Sequence, residues 1–302
     1  MKVDNKLKRK LLEKLLNFYP SMPVYSIRKL TEAEIEERAR YYASQFMGRE
    51  FSESFRPYSH REDDSTLVNL PRNTKMRIYL NSNTVTIEQK ISPLEHIFRK
   101  NPDEKQLSEM ALNIMKKLEL DKYRLPIEQI GFETLWQIKK SGIAREEKEL
   151  PIILCRIVGA FRRHINKIPV YGGASIFVKI AAEGLVESVG IDWREINEKP
   201  IAEEKIIEPS VGAEKILSDL NSLLPNTALT TEDCEPQFFS LGYFSLPKKQ
   251  QQKYMQPVYV ATFEDVGLTT WSHLIVVPAT SHVYEPIKKA NQAPILSNKF
   301  RK

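Results

Sequence analysis

Side chains able to do chemistry are few in this sequence and lie far apart. The five histidines are His60, His96, His164, His273 and His282, and the closest two are nine positions apart. Nine residues of strand span about 30 Å, too far for two ligands of one metal unless the chain turns between them. His273 and His282 fall on neighbouring strand-like segments and meet only across such a turn; a lone strand histidine is more often an exposed polar residue. The two cysteines, Cys155 and Cys234, are separated by 79 positions, which fits neither a disulfide framework nor zinc spacing. Cys155 sits in the apolar run 152–158 and reads as a small buried hydrophobe. Cys234 stands between Asp233 and Glu235, whose charge works against the thiolate a nucleophile needs. Glu146-Glu147 and Asp63-Asp64 are adjacent acids in polar stretches. Catalytic acids face each other across a site, so consecutive ones read as solvated surface. The zinc-protease His-Glu-x-x-His pair, the Gly-x-Ser-x-Gly elbow and the glycine-rich phosphate loops are all missing from the 302 residues. The expectation is a protein that is not an enzyme and that carries no cofactor and no metal.

Charge narrows the partner. The net charge is +6, but residues 1–19 hold six basic and two acidic groups and residues 287–302 hold five basic groups and no acid. Residues 20–286 therefore carry −3, and a body without basic excess is not expected to neutralise nucleic-acid phosphates. No uninterrupted apolar core of a secretory signal appears, because Glu13 and Lys14 break the first apolar run. No stretch approaches the roughly 20 apolar residues that span a bilayer. A cytoplasmic location is the expectation, with secretion after processing or by another route left open.

The elements that would position any site read as helices alternating with strands. Leu7, Leu11, Leu15 and Phe18 form one stripe of a basic amphipathic helix that Pro20 and Pro23 end. Such a helix docks on its own protein or, as the alternative, makes peripheral membrane contact through residues 1–19. Thr31-Glu32-Ala33-Glu34 is a capping box, followed by Ile35, Ala39, Tyr42 and Phe46 at helical spacing and Gly48 as a stop. Residues 75–80 and 84–89 alternate across Asn81-Ser82-Asn83 and predict a β-hairpin. Asn101-Pro102 opens another helix, with Leu107, Met110, Ala111, Ile114 and Leu118 inward. Extended segments follow at 132–139, 152–163, 174–181 and 185–192, the last two joined by Glu183-Gly184. Residues 200–209 read as a linker, and a further helix near Ser210 precedes strand-like runs at 237–246, 257–264, 270–277 and 282–285. The predicted class is α+β, in units that each lay a helix on an antiparallel sheet. Expected boundaries are 1–23 for the basic helix, 24–100, 101–199 and 200–286 for three α+β units, and 287–302 for a basic flexible tail.

One stretch carries a family likeness. Phe161-Arg162-Arg163-His164 leads into Pro169-Val170-Tyr171-Gly172-Gly173, then into the alternating run Ile176, Val178, Ile180, and on to Glu183-Gly184-Leu185-Val186. It resembles the fungalysin/thermolysin propeptide module, with its basic pair, turn and Pro-Val-aromatic-Gly-Gly element. Pro169 at a strand entrance and Gly172-Gly173 at a bend suit that pattern physically. Residues 210–286 are similar to a PepSY domain: Pro257-Val258-Tyr259-Val260 matches its Pro-x-Tyr strand and residues 274–283 its closing strand. Pro278 stands where that family has an acid and Ser281 where it has glycine. The resemblance covers a little over half the chain and implies tandem cystatin-like and PepSY-like units without the zinc protease they normally precede. It implies a non-catalytic protein-binding protein, a stand-alone inhibitor or chaperone of a protease. A structural or adaptor subunit of a larger assembly is the alternative, held by the two basic ends or by exposed sheet edges. The partner is another protein, a metalloprotease or an assembly subunit. The expected contact residues are Arg162, Arg163, His164, Val170, Tyr171, Gly172 and Gly173.

Overall fold

Local signals set the helix starts. The backbone N–H of Thr31 donates to Glu34 Oε2 at 2.9 Å, and the Glu34 N–H donates back to Thr31 Oγ1 at 3.3 Å. Asp103 and Gln106 exchange the same two bonds at 3.1 and 2.8 Å, so the helix expected from Asn101-Pro102 also opens on a capping box. The structure is a computed structural model. It describes residues 5–47, 59–62, 65–70, 73–92, 94–99, 102–117, 130–140, 152–223, 234–265, 271–287 and 295–296. Gly48, Asp63-Asp64, Glu146-Glu147, Asp233 and most of the basic tail lie outside the described residues.

The fold is α+β. Its helices are α1 (Asn5–Glu13), α2 (Glu32–Met47), α3 (Glu104–Lys117) and α4 (Pro209–Leu223). Its strands are β1 (Ser21–Ser26), β2 (Ser59–Glu62), β3 (Ser65–Leu70), β4 (Thr74–Tyr79), β5 (Thr84–Gln89), β6 (Ile130–Lys140), β7 (Ile153–Ile165) and β8 (Ile168–Gly172). They continue as β9 (Ser175–Ile180), β10 (Val186–Ile191), β11 (Ala202–Lys205), β12 (Cys234–Ser245), β13 (Tyr254–Met255), β14 (Pro257–Asp265), β15 (Trp271–Pro278) and β16 (Ile295–Leu296). The chain groups into two compact units. A central unit comprises Lys29–Glu195 with Pro247–Gln251, and a terminal unit comprises Met1–Arg28, Ile196–Leu246 and Gln252–Lys302.

In the central unit β7 pairs with β6, with β9 and, at its end, with β8; the sheet then runs β9, β10, β5, β4, β3, β2, all antiparallel. Here the structure differs from separate units at 24–100 and 101–199. β5 pairs with β10, placing Val85 opposite Ile191 and Ile87 opposite Val189. Joining the two half-sheets removes an exposed edge from each and merges their apolar rows. One buried core then runs from Leu30 and Tyr42 through Met76, Ile87 and Leu107 to Phe161, Val178 and Trp193. Helix α3 lies against β7 and β9. A Cβ added at Gly159 of β7 would stand 2.5 Å from Ala111 Cβ of α3, so glycine allows that close approach. Gly159→Val is expected to destabilise the chain by about 2–3 kcal/mol in urea unfolding, because helix backbone must move to admit the side chain. An unchanged midpoint would show that α3 does not sit there.

In the terminal unit β12, β14, β15 and β16 form an antiparallel sheet in that order, with α4 against β14 and β15. Leu7 and Leu11 of α1 are buried, and α1 rests on α4 and β12. Lys8 Nζ reaches Glu214 Oε1 at 2.5 Å and Lys10 Nζ reaches Glu235 Oε1 at 3.9 Å. The inner part of the N-terminal stripe is therefore used within this unit. The helix ends at Glu13, earlier than the prolines suggest. Leu16 N–H donates to Phe239 O at 3.0 Å, and the Asn17 side chain bonds Leu241 N–H and O at 2.9 and 3.0 Å, drawing the chain along β12. Residues 200–209 are not simply a linker, since β11 pairs with β1, and β1 also pairs with β13. Residues 282–285 form bends in place of a strand: Gln256 Oε1 accepts the Tyr284 N–H at 3.0 Å, and Glu285 Oε2 accepts the Lys253 N–H at 2.8 Å.

Candidate interaction surface

Among the described residues β6 pairs with β7 alone, so its other side offers free backbone groups. Residues directly opposite share a face. Trp136, Val158 and Lys179 form one row across β6, β7 and β9, and Thr134, Ala160, Phe177 and Gly190 form the next, ending on β10. These rows lie on the sheet face away from the core residues Ile157 and Phe161. Trp136 is 44% exposed, Ile138 37% and Phe177 36%, while Phe132 at the core-facing margin is 40% exposed and stacks edge-on against Phe161. A Cβ on Gly190 would lie 1.9 Å from Phe177 Cε1, so the phenyl ring occupies the space that a side chain there would need. The register is irregular between Phe132 and Thr134 and between Ile138 and Lys139, leaving a regular stretch 134–138 centred on Trp136.

The expected contact residues divide between this surface and the interior. Arg162 is half-buried, forms an ion pair with Glu133 of β6 and stacks 4.9 Å from the centre of the Tyr171 ring. His164 is half-buried over β6, where a Cβ on Gly131 would meet its Cε1 at 2.9 Å. Arg163, Val170 and Tyr171 are buried, with Tyr171 the most exposed of the three at 9%. Gly172 is exposed with φ of 78°, a left-handed conformation that a side chain would strain, and Gly173 is half-buried. The turn between β7 and β8 uses Asn166 and Lys167 at φ of 50° and 68°, the two-residue hairpin turn whose twist suits the strands.

A buried polar cluster in the central unit was not legible as such. Asp192-Trp193-Arg194-Glu195 follows β10 and looks like a solvated stretch, yet Trp193, Arg194 and Glu195 are buried. The Arg163 guanidinium stacks 4.3 Å from the Trp193 ring centre and donates to Arg194 O at 2.5 Å. Burial pushes Arg163 down to about 9, although Glu195 works the other way, and it stays cationic at neutral pH. Glu195 pairs with Arg38 of α2. The only hint in the string is a tryptophan between opposite charges directly after a strand, without Gly or Pro to release the chain.

Asp192 accepts a 2.7 Å hydrogen bond from Thr84 Oγ1. Burial lifts its carboxyl to about 6, against the Thr84 bond and the charges of Arg194 and Lys248. Because the folded pKa lies above the unfolded one, the folded state binds more protons between about pH 4 and pH 6, and stability falls as pH rises through that window. Asp192→Asn keeps the acceptor for Thr84 and removes the buried charge. It is expected to gain about 1–2 kcal/mol at pH 7.5 and nothing below pH 4, read by thermal unfolding across pH. A uniform loss at all pH values would contradict this assignment.

A second buried set joins Arg156, Glu187 and Lys179. Burial opposes the Glu187 charge, but hydrogen bonds from Lys179 and Arg156 outweigh it and hold the carboxyl below its ordinary value. A polar concavity of about 720 Å³ opens beside β4 and β5, its wall carrying Lys75, Glu88, Lys90 and Glu187. Among the described residues its lining contains no histidine, cysteine or serine. His273 lies in β15 opposite Phe263, and His282 stacks edge-on against Tyr284 at 4.5 Å. Among the described residues no three His, Cys, Asp or Glu side chains converge as metal ligands, and no helix is long and apolar enough to cross a membrane.

No family model matches the chain, and no curated protein does. Among solved structures it is similar to an uncharacterized protein from Eubacterium rectale, at 13% identity and a TM-score of 0.46, covering 89% of this chain and 86% of that one. It is also similar to the Bacillus megaterium YpeB C-terminal domain, at 12% identity and a TM-score of 0.34, covering 84% of this chain and 95% of that one.

Proposed function

We propose that the chain is a non-catalytic protein-binding protein whose contact surface is the free side of β6 with the apolar residues beside it. The observation that carries this reading is an 11-residue strand paired on one side among the described residues, with Phe132, Trp136 and Ile138 all exposed. Such an edge accepts an added strand: the backbone supplies hydrogen bonds and alternate side chains supply specificity. Two shifted carboxylates are held by structural partners, Asp192 by Thr84 and Glu187 by Arg156 and Lys179, which supports a scaffold role for them.

The propeptide and PepSY resemblance adds a finer proposal: cystatin-like layers serving as a stand-alone inhibitor or chaperone of a metalloprotease. Supporting it, Pro169-Val170-Tyr171-Gly172 of the element lie in β8, Gly173 in the bend after it, and the alternating run in β9. The adaptor-subunit reading draws on the β6 edge itself. Immobilised wild-type chain and a Trp136→Lys/Ile138→Lys variant, each exposed to extract of the native host, test the surface. The wild type is expected to retain at least one protein that the variant loses; identical retention would contradict a β6 contact. Titration into a thermolysin-like protease tests the finer reading, with slowed peptide hydrolysis and co-elution expected.

A further inference from the structure

We infer that the strand added to β6 is the β6 of a second copy of this chain, paired antiparallel about a two-fold axis through Trp136. This rests on the strand-addition reading above and specifies its occupant. The charge pattern of Ile130–Lys140 is the first ground. Its acid, Glu133, which is exposed but already pairs with Arg162 of its own β7, lies toward one end, and Lys139 and Lys140 lie at the other. Antiparallel self-pairing brings each acidic end to the basic end of the other copy, whereas parallel in-register pairing sets like charge on like. Lys139 and Lys140 are exposed and available for this role.

Symmetry of the strand is the second ground. The regular stretch between the two register irregularities is Thr134 to Ile138, and Trp136 is its middle residue. A two-fold axis perpendicular to the sheet requires residues that face each other to share a face. Centring on Trp136 meets that condition, with Thr134 opposite Ile138, Leu135 opposite Gln137 and the two tryptophans side by side. The open face then gains a continuous apolar strip of Ile138 and Trp136 from both copies, the residues that are exposed in one copy alone. A two-fold pair also closes on itself, covering both edges without propagating into a fibre. The interface is a single strand pair with a short apolar strip, so the dimer is weak and depends on concentration.

The full chain carrying Trp136→Cys tests this under mild oxidation, with Gln137→Cys as the comparison. Self-opposed residues of an antiparallel pair lie about 5 Å apart at Cα, within disulfide reach, whereas the Gln137 pair lies about 8 Å apart. The native Cys155 and Cys234 are buried and give little background. The expected result is a disulfide-linked dimer from Trp136→Cys and little from Gln137→Cys. Wild-type chain is expected to sediment with a mass that rises with concentration, and Trp136→Lys to abolish the rise. Equal linking by both cysteine variants, a monomer at every concentration, or a dimer indifferent to Trp136→Lys would each overturn the inference. None of these decides whether a foreign protein binds at β6, which the capture comparison reads separately.

Discussion

Arg194→Ala is expected to lower the unfolding free energy by about 3–5 kcal/mol, the cost of removing a fully buried guanidinium together with the three carbonyl bonds it donates. Arg194 is completely inaccessible. Its Nη1 donates to Asn81 O at 2.7 Å, and its Nη2 donates to Gln250 O at 2.9 Å and Pro247 O at 3.1 Å. These bonds fasten the segment Pro247–Gln251 to the turn after β4. Asn81 Nδ2 adds a 3.0 Å bond to Lys249 O, and the Lys248 ammonium sits 4.6 Å from the Tyr79 ring centre. Truncation strips three partly buried carbonyl oxygens of their donor, which costs more than the net worth of the bonds. Lysine is too narrow a donor to serve all three at once, so Arg194→Lys should recover only part of the loss. Urea unfolding reads the energy, and limited proteolysis reads the release of residues 247–251. A loss under about 1 kcal/mol would mean that those carbonyls find other partners.

Arg156→Ala should cost a similar amount, about 3–5 kcal/mol. Arg156 is 2% exposed and pairs with Glu187. It also donates to Cys155 O at 2.7 Å, Ser92 O at 2.9 Å and Glu95 O at 3.0 Å, so one guanidinium ties β7, β10 and the segment before α3 together. The two arginines differ in their expected pH behaviour. Glu187 has a folded pKa below its unfolded one, so its contribution is full above the unfolded pKa and disappears as pH falls through the folded value. The penalty of Arg156→Ala should therefore shrink in acid. The penalty of Arg194→Ala should shrink less, because most of its bonds go to carbonyl oxygens that do not titrate. Equal pH dependence in the two variants would break this distinction.

Much of the fold was legible because its signals are local. The hairpin of β4 and β5, the capping box at Thr31 and the strands near 132–139, 152–163, 174–181 and 185–192 follow from alternation and from turn residues within a few positions. The pairing of β5 with β10 was not legible, since it joins edges about 100 residues apart that each look complete in sequence. That one pairing replaces two expected units by one central unit. β11 escaped for a different reason: Ala-Glu-Glu-Lys at 202–205 has no apolar alternation, and only its partner β1 makes it a strand. For the candidate surface, the residues singled out around β7 and β8 divide between the open side and the interior because a basic pair in a strand points in opposite directions. Arg162 faces the open side and Arg163 the interior. The exposure of Trp136 could not be read from its neighbours, because an extended apolar segment looks the same at an edge as in the middle of a sheet.

Hydrogen exchange across residues 130–140 tests most directly whether β6 is the binding strand. The wild-type chain would be compared free at low concentration and in the complex recovered on immobilised wild-type bait. Amides of β6 that point away from β7 are expected to gain protection in the complex while those already bonded to β7 change little. Protection that appears elsewhere on the chain, with 130–140 exchanging as in the free protein, would contradict it.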